Sequence, residues 1–173
     1  MRRPDRSPAI KECIRFIKKV KGWHDDDDDD DDVFLSAAKP IPSNLRDLLG
    51  IHEGQSTARI RYNGETYARS TAHVGNSLIR FYPSGNMQSS LVPGQIEYII
   101  KQRHQTILFI RRHLELEKPV SDPFQYYPHF PVELYSSNLH DELEMVELDW
   151  IFSHFARYKM HSERVAILCL SRV

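Results

Sequence analysis

The rhythm of apolar and polar residues changes along this chain. Near its start, Ile10, Cys13, Ile14, Ile17 and Val20 recur at spacings of three and four, which puts them on one helical stripe. Ser7-Pro8 suits a cap followed by proline at the first helical position, and Gly22 suits a stop. The spacing predicts an amphipathic helix over 8–21, with Lys11, Arg15, Lys18, Lys19 and Lys21 on its other faces. Such a helix packs on the domain or frays in solution, or else serves contact with a membrane surface, nuclear import or nucleic acid. Further on, Ser43 caps a short helical pattern through Leu45, Leu48 and Leu49 that Gly50 ends.

From about residue 55 the period becomes two. Ala58, Ile60 and Tyr62 alternate with Thr57, Arg59 and Arg61, as in a half-buried strand. Asn63-Gly64 follows at once, and an Asn-Gly pair between alternating segments signals a hairpin into Glu65–Ser70. Leu78–Tyr82 reads as a third strand. Pro93-Gly94 opens a fourth with Ile96, Tyr98 and Ile100 on one face, and Thr106–Leu114 a fifth beyond a turn at Arg103-His104-Gln105. Val132–Ser136, Trp150–Phe155 and Arg164–Leu170 add three more, with a short helical turn near Leu139–Val146. No helical crossovers separate consecutive strands, which excludes a parallel α/β sheet and leaves an antiparallel barrel or sandwich.

Charge divides the chain into three. Residues 1–24 carry eight Lys/Arg and two acids, residues 25–32 are eight aspartates, and the remaining 141 hold fifteen bases and fourteen acids. Eight like charges repel and cannot be buried, so the aspartate run reads as a solvated linker. A calcium loop would space its carboxylates around a glycine. The expected organisation is a basic helix over 1–24, an acidic run and linker with a short helix over 25–54, and a β domain over 55–173. That domain is almost neutral, whereas a nucleic-acid-binding domain shows a basic excess. Nucleic-acid association therefore falls to Lys11, Arg15, Lys18, Lys19 and Lys21, as an alternative to protein binding. Cys13 and Cys169 form no disulfide framework, and no apolar stretch approaches the ~18 residues of a membrane span. The expectation is an intracellular protein without a membrane partner.

Chemistry is sparse. His154 and His161 stand seven apart without the paired ligands that structural zinc uses, and His154 reads as a hydrogen-bonded structural histidine. Nucleophile elbows and phosphate-cradling glycine loops are missing. Asp141, Glu142, Glu144, Glu147 and Asp149 could pair carboxylates as in a hydrolase, but a solvated acidic face accounts for them. We therefore expect no catalytic residue, no metal and no cofactor. One segment differs. Phe124, Tyr126, Tyr127 and Phe130 fall within seven residues among Pro123, Pro128 and Pro131. Prolines restrict a loop and lower the entropic cost of displaying rings, which with Trp150 form the candidate partner-binding set. The rings either attract a methylated ammonium by cation–π contact or cover an open barrel end.

Two resemblances rest on short segments. Pro93-Gly94-Gln95-Ile96-Glu97-Tyr98-Ile99, then Leu108-Phe109-Ile110-Arg111-Arg112, Glu133-Leu134-Tyr135-Ser136-Ser137 and Val146 through Trp150-Ile151 resemble the order of segments in the BAH (bromo-adjacent homology) domain. The likeness spans about 55–158. It implies a small antiparallel β-barrel, mainly β in class, behind the N-terminal amphipathic helix. It also implies a protein partner such as a histone or chromatin protein, and a nuclear rather than cytoplasmic address. Asp122-Pro123-Phe124, Leu134-Tyr135-Ser136-Ser137 and Asp149-Trp150-Ile151-Phe152-Ser153-His154-Phe155-Ala156-Arg157 are similar to the C-terminal region of fungal Plavaka-type transposon proteins. Their RNase H-like domain has no counterpart here, so transposase activity does not carry over.

Overall fold

The computed structural model describes residues 32–34, 39–41, 43–50, 54–102, 105–116, 122–124, 126–127, 129–160 and 163–170. The helix expected over 8–21, its basic residues and Asp25–Asp31 lie outside the described residues, as do Arg103 and His104. Met1–Asp30 forms one unit and Asp31–Val173 another, and the described strands all belong to the second.

These strands are β1 (Asp32–Phe34), β2 (Lys39–Pro40), β3 (Gln55–Thr57), β4 (Arg59–Tyr62), β5 (Glu65–Ala68), β6 (Leu78–Phe81), β7 (Val92–Gln102), β8 (Gln105–Arg112), β9 (Val132–Ser136), β10 (Glu144–Glu147), β11 (Ile151–Lys159) and β12 (Arg164–Cys169). A single short helix among the described residues, α1 (Ser43–Leu49), precedes Gly50, whose φ of 65° ends it. The protein is mainly β and every described strand pair is antiparallel.

Local chemistry places the first hairpin as expected. Asn63 and Gly64 both take positive φ (48° and 78°), the geometry a two-residue turn needs to match strand twist, and Tyr62 pairs with Glu65. With β1 on its other side this makes a three-stranded sheet, β1-β4-β5. The larger sheet runs β10-β8-β7-β6-β11-β12-β9, and β7 also pairs with β3, which carries β2.

That path is open, which corrects the expected closed barrel. Its end strands, β9 and β10, do not pair with each other; they are consecutive, joined by 137–143. The end of β8 holds that connection through one bridge, His113 with Leu139, and through the bonds Leu114 N–H to Asn138 O and His140 N–H to Arg112 O. A bent connection occupies the place where a ladder would have closed the ring. The helical turn expected near Leu139–Val146 is also corrected: Glu144–Glu147 is a strand laid against Ile107–Ile110 of β8. The expected Trp150 strand begins one residue later, since Leu148–Trp150 is a 3-10 turn.

Among the described residues the core has three clusters. Ile60, Tyr67, Ile79, Phe81, Ile96, Ile99, Leu108, Ile110 and Val146 form the main one, between the two sheets. Ile41, Leu45, Ile100, Ile107 and Phe109 form a second on the opposite face of β7–β8. So α1 and Ile41, expected in a linker, cover the sheet. This two-sided burial depends on a bulge in β7. Register against β8 shifts between Ile96 and Tyr98, so Ile96 and Ile99 face the main core while Tyr98 and Ile100 face α1. The expected shared face of Ile96, Tyr98 and Ile100 is thereby corrected. Leu78, Phe155, Val165 and Ile167 form the third cluster.

Candidate functional site

The loop 122–131 enters β9, and short local bonds shape it. The Asp122 carboxylate accepts the Phe124 N–H (2.8 Å), while Tyr127 N–H donates to Phe124 O and Phe130 N–H to Tyr127 O. These successive turns bring Phe124 and Phe130 together, with ring centroids 5.8 Å apart and planes tilted by 39°. The other two rings turn outward. Tyr126 is 78% exposed and Tyr127 65%, so neither ring covers the sheet. Phe130 is 49% exposed even beside Phe124.

Trp150 belongs elsewhere. Its indole packs on the main core and against the turn at Gly85, where a Cβ would meet Trp150 Nε1 at 2.7 Å. Positive φ at Gly85 (70°) also favours glycine there. Of the five residues expected to bind a partner, the loop thus gathers four, and Trp150 is a core lid. The alternative set, Lys11, Arg15, Lys18, Lys19 and Lys21, lies outside the described residues.

The acidic cluster does not converge. Glu144 forms a bidentate ion pair with Arg112. That contact also holds the Arg112 guanidinium above its ordinary pKa, chiefly through the hydrogen bond. Asp149 accepts a hydrogen bond from the Tyr62 hydroxyl, tying the β4–β5 hairpin to the 3-10 turn. Asp141 and Glu142 are exposed on the bend before β10. No group of three or more His, Cys, Asp or Glu that could hold a metal occurs among the described residues. No helix among them is long and apolar enough to cross a membrane.

Of the described histidines, His113 and His154 are embedded, whereas His73, His129 and His140 are exposed. His154 stacks on Tyr67 with centroids 4.8 Å apart, and its Nδ1 lies 3.2 Å from Leu78 O. A carbonyl only accepts, so Nδ1 is the donor of this bond. Burial pushes the Tyr67 phenol up to about 12, aided by Glu65 and Tyr62. His113 is 3% exposed; its Nδ1 donates to Ser136 O at 3.1 Å, and its buried Nε2 has no partner. Burial holds this imidazole below its usual pKa, and Arg157 adds to the effect. Cys169 sits within hydrogen-bond range of Ser153 Oγ, at 3.3 Å.

A feature unread in the sequence lies beside β11. A groove of about 530 Å³ runs between Val74, Asn76 and Leu78 on one wall and His154, Arg157 and Leu170 on the other. A second, separate hollow of about 480 Å³ is lined by Tyr158, Lys159, Met160 and Arg164. In the sequence, Phe155-Ala156-Arg157 stood out only within the longer stretch from Asp149 to Arg157. Their place on the groove depends on where the β6 ladder stops, which a strand's own pattern does not show. Compared with known proteins, the chain matches no family model, no curated protein and no solved structure.

Proposed function

We propose that this chain is a non-catalytic protein-interaction module that grips its partner with the aromatic loop 122–131. The observation that carries this reading is the exposure of Tyr126 and Tyr127 on a backbone held by three local hydrogen bonds. Aromatic side chains with few rotatable bonds give large contact area at little entropic cost, and they dominate interface energetics. The engagement of Glu144 by Arg112 and of Asp149 by Tyr62 supports a structural use of those acids.

The finer identity follows the BAH-like order of segments around Gly94, Ile96, Glu133 and Trp150. We propose a BAH-like module of a chromatin-associated protein, with a histone or another chromatin protein as partner and a nuclear address. The Plavaka-like segments make a transposon-derived origin part of the same proposal. Fold analogy alone does not define function, so the site must carry the test. Binding of the full chain to a histone-peptide array should be saturable. Replacing both Tyr126 and Tyr127 by alanine should weaken it about thirtyfold, the size of a hot-spot loss. Unchanged binding by a folded double variant would remove the loop from the interface.

A further inference from the structure

We propose that the outer end of β11, residues 157–159, is a docking edge for an extended peptide segment that alternates acidic and apolar residues and adds to the sheet as a strand. This surface goes beyond the aromatic loop. The loop leads into β9, and β12 stands between β9 and β11.

The geometry follows from hydrogen-bond parity. Leu170 N–H donates to His154 O and Met160 N–H to Arg164 O, at the two ends of the β11–β12 ladder. In an antiparallel pair, alternate residues point their peptide groups to the same neighbour. Even-numbered residues 154–160 therefore serve β12, and Phe155, Arg157 and Lys159 point their N–H and C=O groups away from it. On that side β6 runs alongside only as far as His154 opposite Ile79. There the His154 imidazole takes Leu78 O, and β6 gives way to the 3-10 turn Gly75–Ser77. Among the described residues no strand pairs with Arg157 or Lys159 on this side.

An unpaired strand edge is a template for another strand, and lysines commonly guard such edges. A guard alone needs no second wall, yet this edge has one. The groove beside it is walled by Val74, Asn76 and Leu78, and a separate hollow lies at Tyr158 and Lys159. Side chains alternate along β11. Arg157 and Lys159 lie on one face, and the exposed Tyr158 lies on the other together with Leu170, which is also exposed. Arg157 Nη1 already donates to Gln95 Oε1 (3.2 Å), so the exposed Lys159 leads the charge complementarity on one face while apolar contact acts on the other. Together they select a segment of period two, with acids toward Lys159 and Arg157 and apolar residues toward Tyr158 and Leu170. Strand addition supplies affinity through main-chain bonds, and the alternating side chains supply selectivity.

The test is fluorescence anisotropy on the full chain with a labelled peptide of about eight residues alternating glutamate and valine, long enough to cover the edge. Two further copies carry backbone N-methyl groups, one at the odd positions and one at the even. A strand held by one edge uses the amides of one set only. We expect saturable binding that one methylated copy loses by about tenfold or more and the other keeps within about threefold. Lys159→Pro removes an outward donor that the β12 ladder does not use. It should weaken binding about fivefold relative to Lys159→Ala, which keeps the N–H. Tyr126→Ala with Tyr127→Ala should bind this peptide normally. No saturable binding, equal loss or equal retention by the two methylated copies, or loss in the tyrosine double variant would each overturn the proposal.

Discussion

The β7–β8 hairpin and the loop 122–131 are both rich in large apolar side chains, yet they dispose of them in opposite ways. In the hairpin Ile96, Ile99, Leu108 and Ile110 enter one core, while Ile100, Ile107 and Phe109 enter another, so both faces are covered. Among the described residues of the loop, the Phe124 and Phe130 rings touch each other, and the two tyrosines between them face water. Composition does not separate these outcomes; neighbours do. The hairpin has β10 beside it, the β4–β5 hairpin on one face and α1 on the other. The loop has prolines, no ladder, and turns that spend its peptide groups locally. Apolar residues held rigid outside any layer are where a partner is to be sought.

The largest effect should come from emptying the hairpin. Ile110 is fully buried in the main core, so Ile110→Ala should cost about 2–5 kcal/mol of stability in urea unfolding. A loss below about 1 kcal/mol would show that the two-faced packing is loose. Next comes overfilling. A Cβ on Gly94 would lie 2.5 Å from Ile110 Cγ2 and 3.1 Å from the Arg111 carbonyl oxygen, one of them backbone that cannot swing aside. Gly94→Ala should therefore cost about 1–3 kcal/mol in the same assay. Full stability in that variant would mean the β7–β8 pair can spread.

Acid should find the weak point where β8 ends. His113 is buried and its folded pKa is depressed below 6.5. The unfolded chain therefore takes up this proton first as pH falls. The stability held in the neutral ring is complete above 6.5 and is lost as pH drops from there toward the lowered folded value. One proton limits the slope to about 1.4 kcal/mol per pH unit. Unfolding measured from pH 7.5 to 5 should show this loss, and His113→Gln should flatten it. An equal slope in the variant would assign the acid sensitivity to other groups.

How far the sequence was legible follows the same division between local and non-local causes. The Asn63-Gly64 turn, the helix Ser43–Leu49 and the strands around Ile79, Leu134 and Ile167 are written in neighbouring residues. The β7 bulge is not, because it exists only as a mismatch between two strands. β10 was hidden because Glu144 and Glu147 lower its strand signal, and its pairing with β8 and the Arg112 contact outweigh that. The open path was hidden because closure turns on how 137–143 bends. Grouping of the loop aromatics could be read from their spacing, whereas the packing of Trp150 could not, because its place depends on Gly85, far away in sequence. The groove at His154 and Arg157 was missed because it depends on where the β6 ladder stops.

The smallest effect on stability should accompany the largest on binding. Tyr126 and Tyr127 are mostly exposed, so little apolar area returns to water when either is cut back, and the backbone bonds that shape the loop come from Asp122, Tyr127 N–H and Phe130 N–H rather than from the tyrosine rings. Surface substitutions of this kind usually change stability by no more than about 0.5 kcal/mol. Tyr126→Ala with Tyr127→Ala should therefore unfold in urea at nearly the parent midpoint while losing its partner. A loss of about 2 kcal/mol or more would mean that the rings support the loop and its entry into β9. In that case the contrast between covered hairpin and displaying loop would no longer separate structure from recognition.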